Sequence, residues 1–91
     1  MKNTSNDNKD IDIDFFLDIT TEVCPLTFVK TKLLIERMAP GQVAEVRLKG
    51  AEPLDNVPRS VREHGHTLIR LEAEDPSQGP EGVHRLVIRK E

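Results

Sequence analysis

The spacing of apolar residues along this chain switches between the period of a strand and that of a helix, and the switches predict its elements. Residues 1–10 carry no apolar period and predict a polar, acidic, disordered tail, taken here to run through residue 14. Ile11 and Ile13 alternate with Asp10, Asp12 and Asp14, a pattern that could extend the strand that follows. Residues 15–19 read as that strand and 20–22 as a loop. Over residues 25–38 the period becomes helical. Leu26, Val29 and Leu33 fall at i, i+3 and i+7, with Leu34 and Met38 beside them, while Lys30, Lys32, Glu36 and Arg37 take the other face. Pro40-Gly41 should stop this helix.

Residues 43–49 alternate, with Ala44, Val46 and Leu48 against Glu45, Arg47 and Lys49, as in a half-buried strand. After a turn at 50–53, Leu54, Val57 and Val61 supply the stripe of a second helix, for which Pro53 or Pro58 could occupy the first turn and Gly65 the end. Residues 67–74 form a third strand with Ile69, Leu71 and Ala73 on one face. Residues 75–82 are turn-rich, and 83–89 form a last strand with Leu86 and Ile88 opposite Val83 and Val87. The order β-α-β-α-β-β, without internal repeats, predicts an α/β (α+β) two-layer sandwich: a four-stranded mixed sheet with two helices on one face. The first strand pair should be parallel and the last two strands a hairpin. The whole is read as one folded domain over residues 15–91.

Composition narrows the function classes. The formal net charge of −3 and three Phe, with no Trp or Tyr, argue against generic nucleic-acid binding. No run approaches a membrane span, and the polar start lacks the apolar segment of a secretory signal. A single cysteine cannot form an internal disulfide, so a reducing, cytoplasmic setting is expected.

That cysteine is the main chemical feature. Cys24-Pro25 stands where the strand pattern gives way to the helix pattern, and proline is favoured at the first helical position. Cys24 would then lie at or next to the N-cap, with free N–H groups and the positive dipole end favouring the nucleophilic thiolate. A lone cysteine is, against this, most often a small buried hydrophobe.

The residues Leu17-Asp18, Cys24-Pro25 six positions later, Gly41, Asn56-Val57-Pro58 and Gly65 resemble the TusA/SirA family of small sulfur-carrier proteins over about residues 15–90. The chain is similar to a variant branch, with Cys-Pro-Leu-Thr in place of the usual Cys-Pro-x-Pro and Thr21 where glycine is usual. The resemblance implies a fold like the C-terminal domain of the third bacterial translation initiation factor. It also implies a sulfurtransferase role, with sulfane sulfur carried as a persulfide on Cys24 and no cofactor. A cysteine desulfurase or rhodanese-like donor would load a monomeric carrier, and an acceptor protein would unload it. The alternative is a non-catalytic interaction or regulatory module on the same fold. RNA binding has only the initiation-factor likeness behind it.

Other groups have weaker readings. Pro25 would position the thiolate, and Thr27, in the first helical turn, is a candidate donor near the Cys24 sulfur or simply packs there. Lys30, Lys32, Arg59 and Arg62 could form a basic rim, or be ordinary solvated helix faces; Arg59, after the Pro58 turn, is the one assigned to the site. His64-Gly65-His66 and His84 are a weak metal signal, and His64 near a helix end suits the last carbonyls better. Glu52 and Asp55 read as surface carboxylates, with no partner His placed for acid–base work.

Overall fold

The computed structural model describes residues 12–23 and 26–91. Strand β1 (Phe15–Asp18) leads to helix α1 (Leu26–Arg37), strand β2 (Val43–Leu48), helix α2 (Ala51–Glu63), strand β3 (Thr67–Ala73) and strand β4 (His84–Arg89). The sheet order is β1-β2-β4-β3. β1 and β2 are parallel, with Leu17 opposite Val46, and β4 runs antiparallel to both β2 and β3. The expected mixed sheet, parallel first pair and terminal hairpin are all present. The tail expected at 1–14 falls largely outside the described residues, but Asp14 belongs to the sheet margin. Its N–H donates to the Val43 carbonyl (2.8 Å) and its carboxylate accepts from the Val43 N–H (2.9 Å).

Alternation along the strands sends Ala44, Val46 and Leu48 of β2, and Leu86 and Ile88 of β4, to one face. There they meet Leu34 and Ile35 from α1, Met38 just after it, and Val57 and Val61 from α2, so both helices cover the same side. The α2 stripe is the expected one. The α1 stripe is not. Leu26, Val29 and Leu33 are exposed, and the buried positions of α1 are Thr27, Thr31, Leu34 and Ile35. Threonine can take core positions here because the Thr31 hydroxyl donates to the Thr27 carbonyl one turn back (2.8 Å), which satisfies it inside the helix. Of the expected apolar positions, Leu34 and Met38 are buried, and Leu26, Val29 and Leu33 are not.

Two further details differ from the periodic reading. A β-bulge between Leu68 and Arg70 breaks the β3 alternation: Leu68 pairs with Ile88 and packs on the core, and Leu71 pairs with Leu86, so Ile69 is the extra residue. Helix α2 begins at Ala51, which leaves Pro53 in the first turn and Pro58 in the interior, where it removes one helical hydrogen bond. Gly50 precedes α2 with φ 107°, a conformation L side chains rarely adopt, and an added Cβ would stand 3.4 Å from Pro53.

Candidate functional site

The parallel β1-α1-β2 unit carries the end of β1 and the start of α1 to one end of the sheet. Cys24 and Pro25, the two residues on which the chemistry was expected to turn, lie outside the described residues. What surrounds them in the chain is defined. The Asp18 carboxylate accepts from both the N–H (2.9 Å) and the hydroxyl (2.7 Å) of Thr20, fixing the turn that leaves β1. The Ile19 N–H then donates to the Arg47 carbonyl of β2 (2.9 Å), and the Ile19 side chain is fully buried. The Glu22 N–H donates back to the Ile19 carbonyl (3.1 Å), and the Glu22 carboxylate is tied to Lys30 in α1 (2.7 Å).

Helix α1 starts at Leu26, two residues after the cysteine, and its first turn contains no acidic residue. The Leu26 N–H donates to the Val23 carbonyl (2.8 Å). The first N–H groups of a helix lack intrahelical partners and carry its positive dipole end, so an anion is favoured at this place. Glu22 is the carboxylate of the adjoining loop, and Lys30 balances its charge.

The remaining expected residues are dispersed. Thr27 is buried in the first turn of α1, and its carbonyl serves Thr31. Arg59 lies on α2 about 12 Å of helical rise from Ala51. Its guanidinium is bonded to Asn56 (2.6 Å) and to Asp55 (3.2 Å). Lys30 and Lys32 are likewise engaged, Lys32 with Glu36 at 2.9 Å.

The histidines each serve the backbone. His64 Nδ1–H donates to the Ser60 carbonyl (2.8 Å), as expected of a residue at a helix end, and His84 Nδ1–H donates to the Gly82 carbonyl (2.8 Å). His66 Nδ1 accepts from the Glu91 N–H (3.2 Å). Among the described residues no three His, Cys, Asp or Glu side chains group as a metal site. A cleft of about 180 Å³ between α1 and α2, lined in part by Phe28, Ile35, Val57 and Val61, was not foreseen from sequence.

Nor was the ion cluster on the uncovered face of the sheet. Arg47 reaches Asp18 (2.7 Å) with one nitrogen and grips both oxygens of Glu74 (2.8 and 3.0 Å) with the others. Arg85 adds contacts to Glu74 (3.2 Å) and Glu45 (3.5 Å). The cluster joins the end of β1 and the residue after β3 through Arg47, by links that span 29 and 27 residues of sequence, which no local pattern reveals. The Thr20 N–H, Thr20 hydroxyl and Arg47 hold the Asp18 carboxyl below its usual range. Hydrogen bonds from Arg47, then Arg85, hold Glu74 down at about 2, against an ordinary 4.5. A carboxyl depressed on folding stabilises the protein above its ordinary pKa, and that contribution is lost as pH falls through the folded value. Glu74→Gln should therefore flatten the fall in melting temperature between about pH 4.5 and 2. Thermal melts across that range check this, and parallel curves for the two proteins would count against it.

Known proteins are similar to this chain in sequence and in fold. The model of the family described as "Sulfurtransferase TusA" matches residues 15–90. A protein of Archaeoglobus fulgidus described as a candidate sulfur carrier is 38% identical over 66 residues, covering 72% of this chain and 75% of its own. A similarly described protein of Thermotoga maritima is 34% identical over 62 residues (68% and 78%), and YedF of Escherichia coli 29% over 69 (76% and 90%). The crystal structure of a SirA-like protein from Desulfitobacterium hafniense superposes with a TM-score of 0.61 at 20% identity, covering 82% of this chain and 95% of that one, which places the fold.

Proposed function

The chain belongs to the TusA sulfurtransferase family, and from that premise we propose that it is a sulfur carrier working through a persulfide on Cys24. In loading, the Cys24 thiolate attacks the terminal sulfur of a donor persulfide on a cysteine desulfurase or rhodanese-like protein. The donor S–S bond breaks, the donor thiolate leaves, and a Cys24 persulfide forms. In unloading, an acceptor thiolate attacks that terminal sulfur, and the Cys24 thiolate is the leaving group. Each step exchanges one S–S bond for another, so neither needs an outside oxidant or reductant.

The observation that carries this reading is the start of the 12-residue helix α1 two residues after Cys24, with no carboxylate in its first turn. Such a start favours the thiolate and the persulfide anion over their protonated forms. In this scheme Pro25 fixes where the helix begins and Thr27 packs its first turn. Arg59 acts at most on approaching partners, since its charge is engaged by Asp55. No described helix is long and apolar enough to cross a membrane. We place the carrier in the cytoplasm, where a single cysteine stays reduced.

Intact mass after incubation with a cysteine desulfurase and cysteine, and separately with a rhodanese and thiosulfate, tests the proposal. The expected result is a gain of one sulfur atom that a thiol reductant removes. A folded protein with a reduced thiol that gains none from either donor would instead be the non-catalytic interaction module.

A further inference from the structure

Helices α1 and α2 do not close on each other along their whole length. Between them lies the cleft of about 180 Å³. α1 lines it with Phe28, Thr31 and Ile35, spaced i, i+3 and i+7, and α2 with Val57, Ser60 and Val61. The α2 side chains are small and leave a gap that Phe28 borders. Phe28 is half-buried, and among the described residues it is not a member of the core cluster. Protein interiors are filled to the density of organic crystals, and a gap of this size is an exception. An apolar cavity of about 150 Å³ holds one benzene molecule, so the cleft has room for a single ring.

The polar groups of the lining gather at the end of α2. His64 caps that helix, and its Nδ1–H donates to the Ser60 carbonyl (2.8 Å), which leaves its Nε2 as a hydrogen-bond acceptor. His66 Nδ1 accepts from the Glu91 N–H (3.2 Å), which leaves its Nε2–H as a donor. Both histidines line the cleft beside Ser60. The charged residues of the lining, Lys32 and Glu36, pair with each other (2.9 Å), so they add no net charge. We propose that the cleft is a binding site for a small uncharged aromatic molecule, a single ring bearing a group that both donates and accepts a hydrogen bond, as a phenol does. The ring packs against Phe28, Ile35, Val57 and Val61, and its polar group answers the complementary pair of histidines. This site is additional to the sulfur-carrier reading and does not depend on it.

Phenol, toluene and N-acetyl-tyrosinamide, titrated separately into the full chain in mildly alkaline buffer and followed by backbone-amide NMR shifts, test this. The expected result is saturable phenol shifts confined to the amides of residues 28–36 and 57–66, with half-saturation at about 1 mM or below. Phenol should bind about tenfold more tightly than toluene, which matches its size but lacks the hydrogen-bonding group. Ser60→Phe puts a ring into the gap from a half-buried position, and serine and phenylalanine have similar helix propensities, so the variant should fold and no longer saturate. His66→Phe keeps the ring shape and removes the donor. It should bring phenol to within about threefold of toluene with toluene binding unchanged, a comparison that stands even if Ser60→Phe does not fold. Phenol shifts that do not saturate, equal wild-type affinities for phenol and toluene, or wild-type phenol affinity in a folded Ser60→Phe would each overturn the site. N-acetyl-tyrosinamide binding tenfold or more tightly than phenol would overturn the small-molecule occupant and give the cleft to a tyrosine side chain of a partner protein. None of these outcomes involves sulfur gain, so failure here leaves the carrier intact, and failure of the carrier leaves this site standing.

Discussion

Cys24→Ser should give a folded protein that gains no sulfur from any donor. The substitution changes one atom, and the described core of Ile19, Met38 and residues of α1, β2, α2 and β4 keeps all its side chains. Serine is also among the preferred residues at helix starts, so the entry to α1 should survive. The chemistry should not. A hydroxyl is scarcely ionised near neutral pH and cannot take sulfane sulfur by exchange of one S–S bond for another, so loading should fall below detection. Intact mass against the wild type reads the loss, and a thermal melt reads the fold. A serine variant that still accepted and delivered sulfur would remove Cys24 from the mechanism.

Ile88→Ala should have the largest effect on stability. Ile88 is fully buried in β4, where it pairs with Ala44 of β2 on one side and Leu68 of β3 on the other. Its side chain joins both layers of the sandwich. Truncating such a residue loses its transfer free energy and leaves a cavity, together about 2–5 kcal/mol. A domain of this size has only about 5–15 kcal/mol in all. At about 4–8 °C per kcal/mol the melting temperature should drop by roughly 10 °C or more. A shift below about 3 °C would mean that this part of the core repacks freely.

Where the sequence led and where it misled has a common physical cause. Strand alternation was legible because Ala44, Val46 and Leu48, and again Leu86 and Ile88, are apolar on one side of each strand. The strand order β1-β2-β4-β3 agrees with the expected parallel pair and hairpin. Helix α1 misled because apolar residues lie on both of its sides and two threonines, one of them bonded to the carbonyl of the other, take inner positions. Signals that depend on distant partners were invisible for another reason. The Arg47 cluster unites Asp18, Glu74 and Arg85 from three strand ends, and each alone reads as a surface charge. The bulge at Ile69 shows itself only through the register with β4. For the site, the Cys24-Pro25 pair and its place before a helix were plain in the chain. The exposure of Leu26, Val29 and Leu33 on the outer side of α1 emerged only once its buried face was known.

The strand order also bears on how the domain is made. β4 is synthesised after every other element of the sheet yet lies inside it, between β2 and β3. Until residues 84–89 leave the ribosome, β2 has only β1 beside it and β3 has no sheet partner at all. Loop closure across roughly 40 residues must precede the pairing of β4 with β2, and such long-range contacts form slowly. The sheet under α1 and α2 is therefore complete only when the last strand is in place.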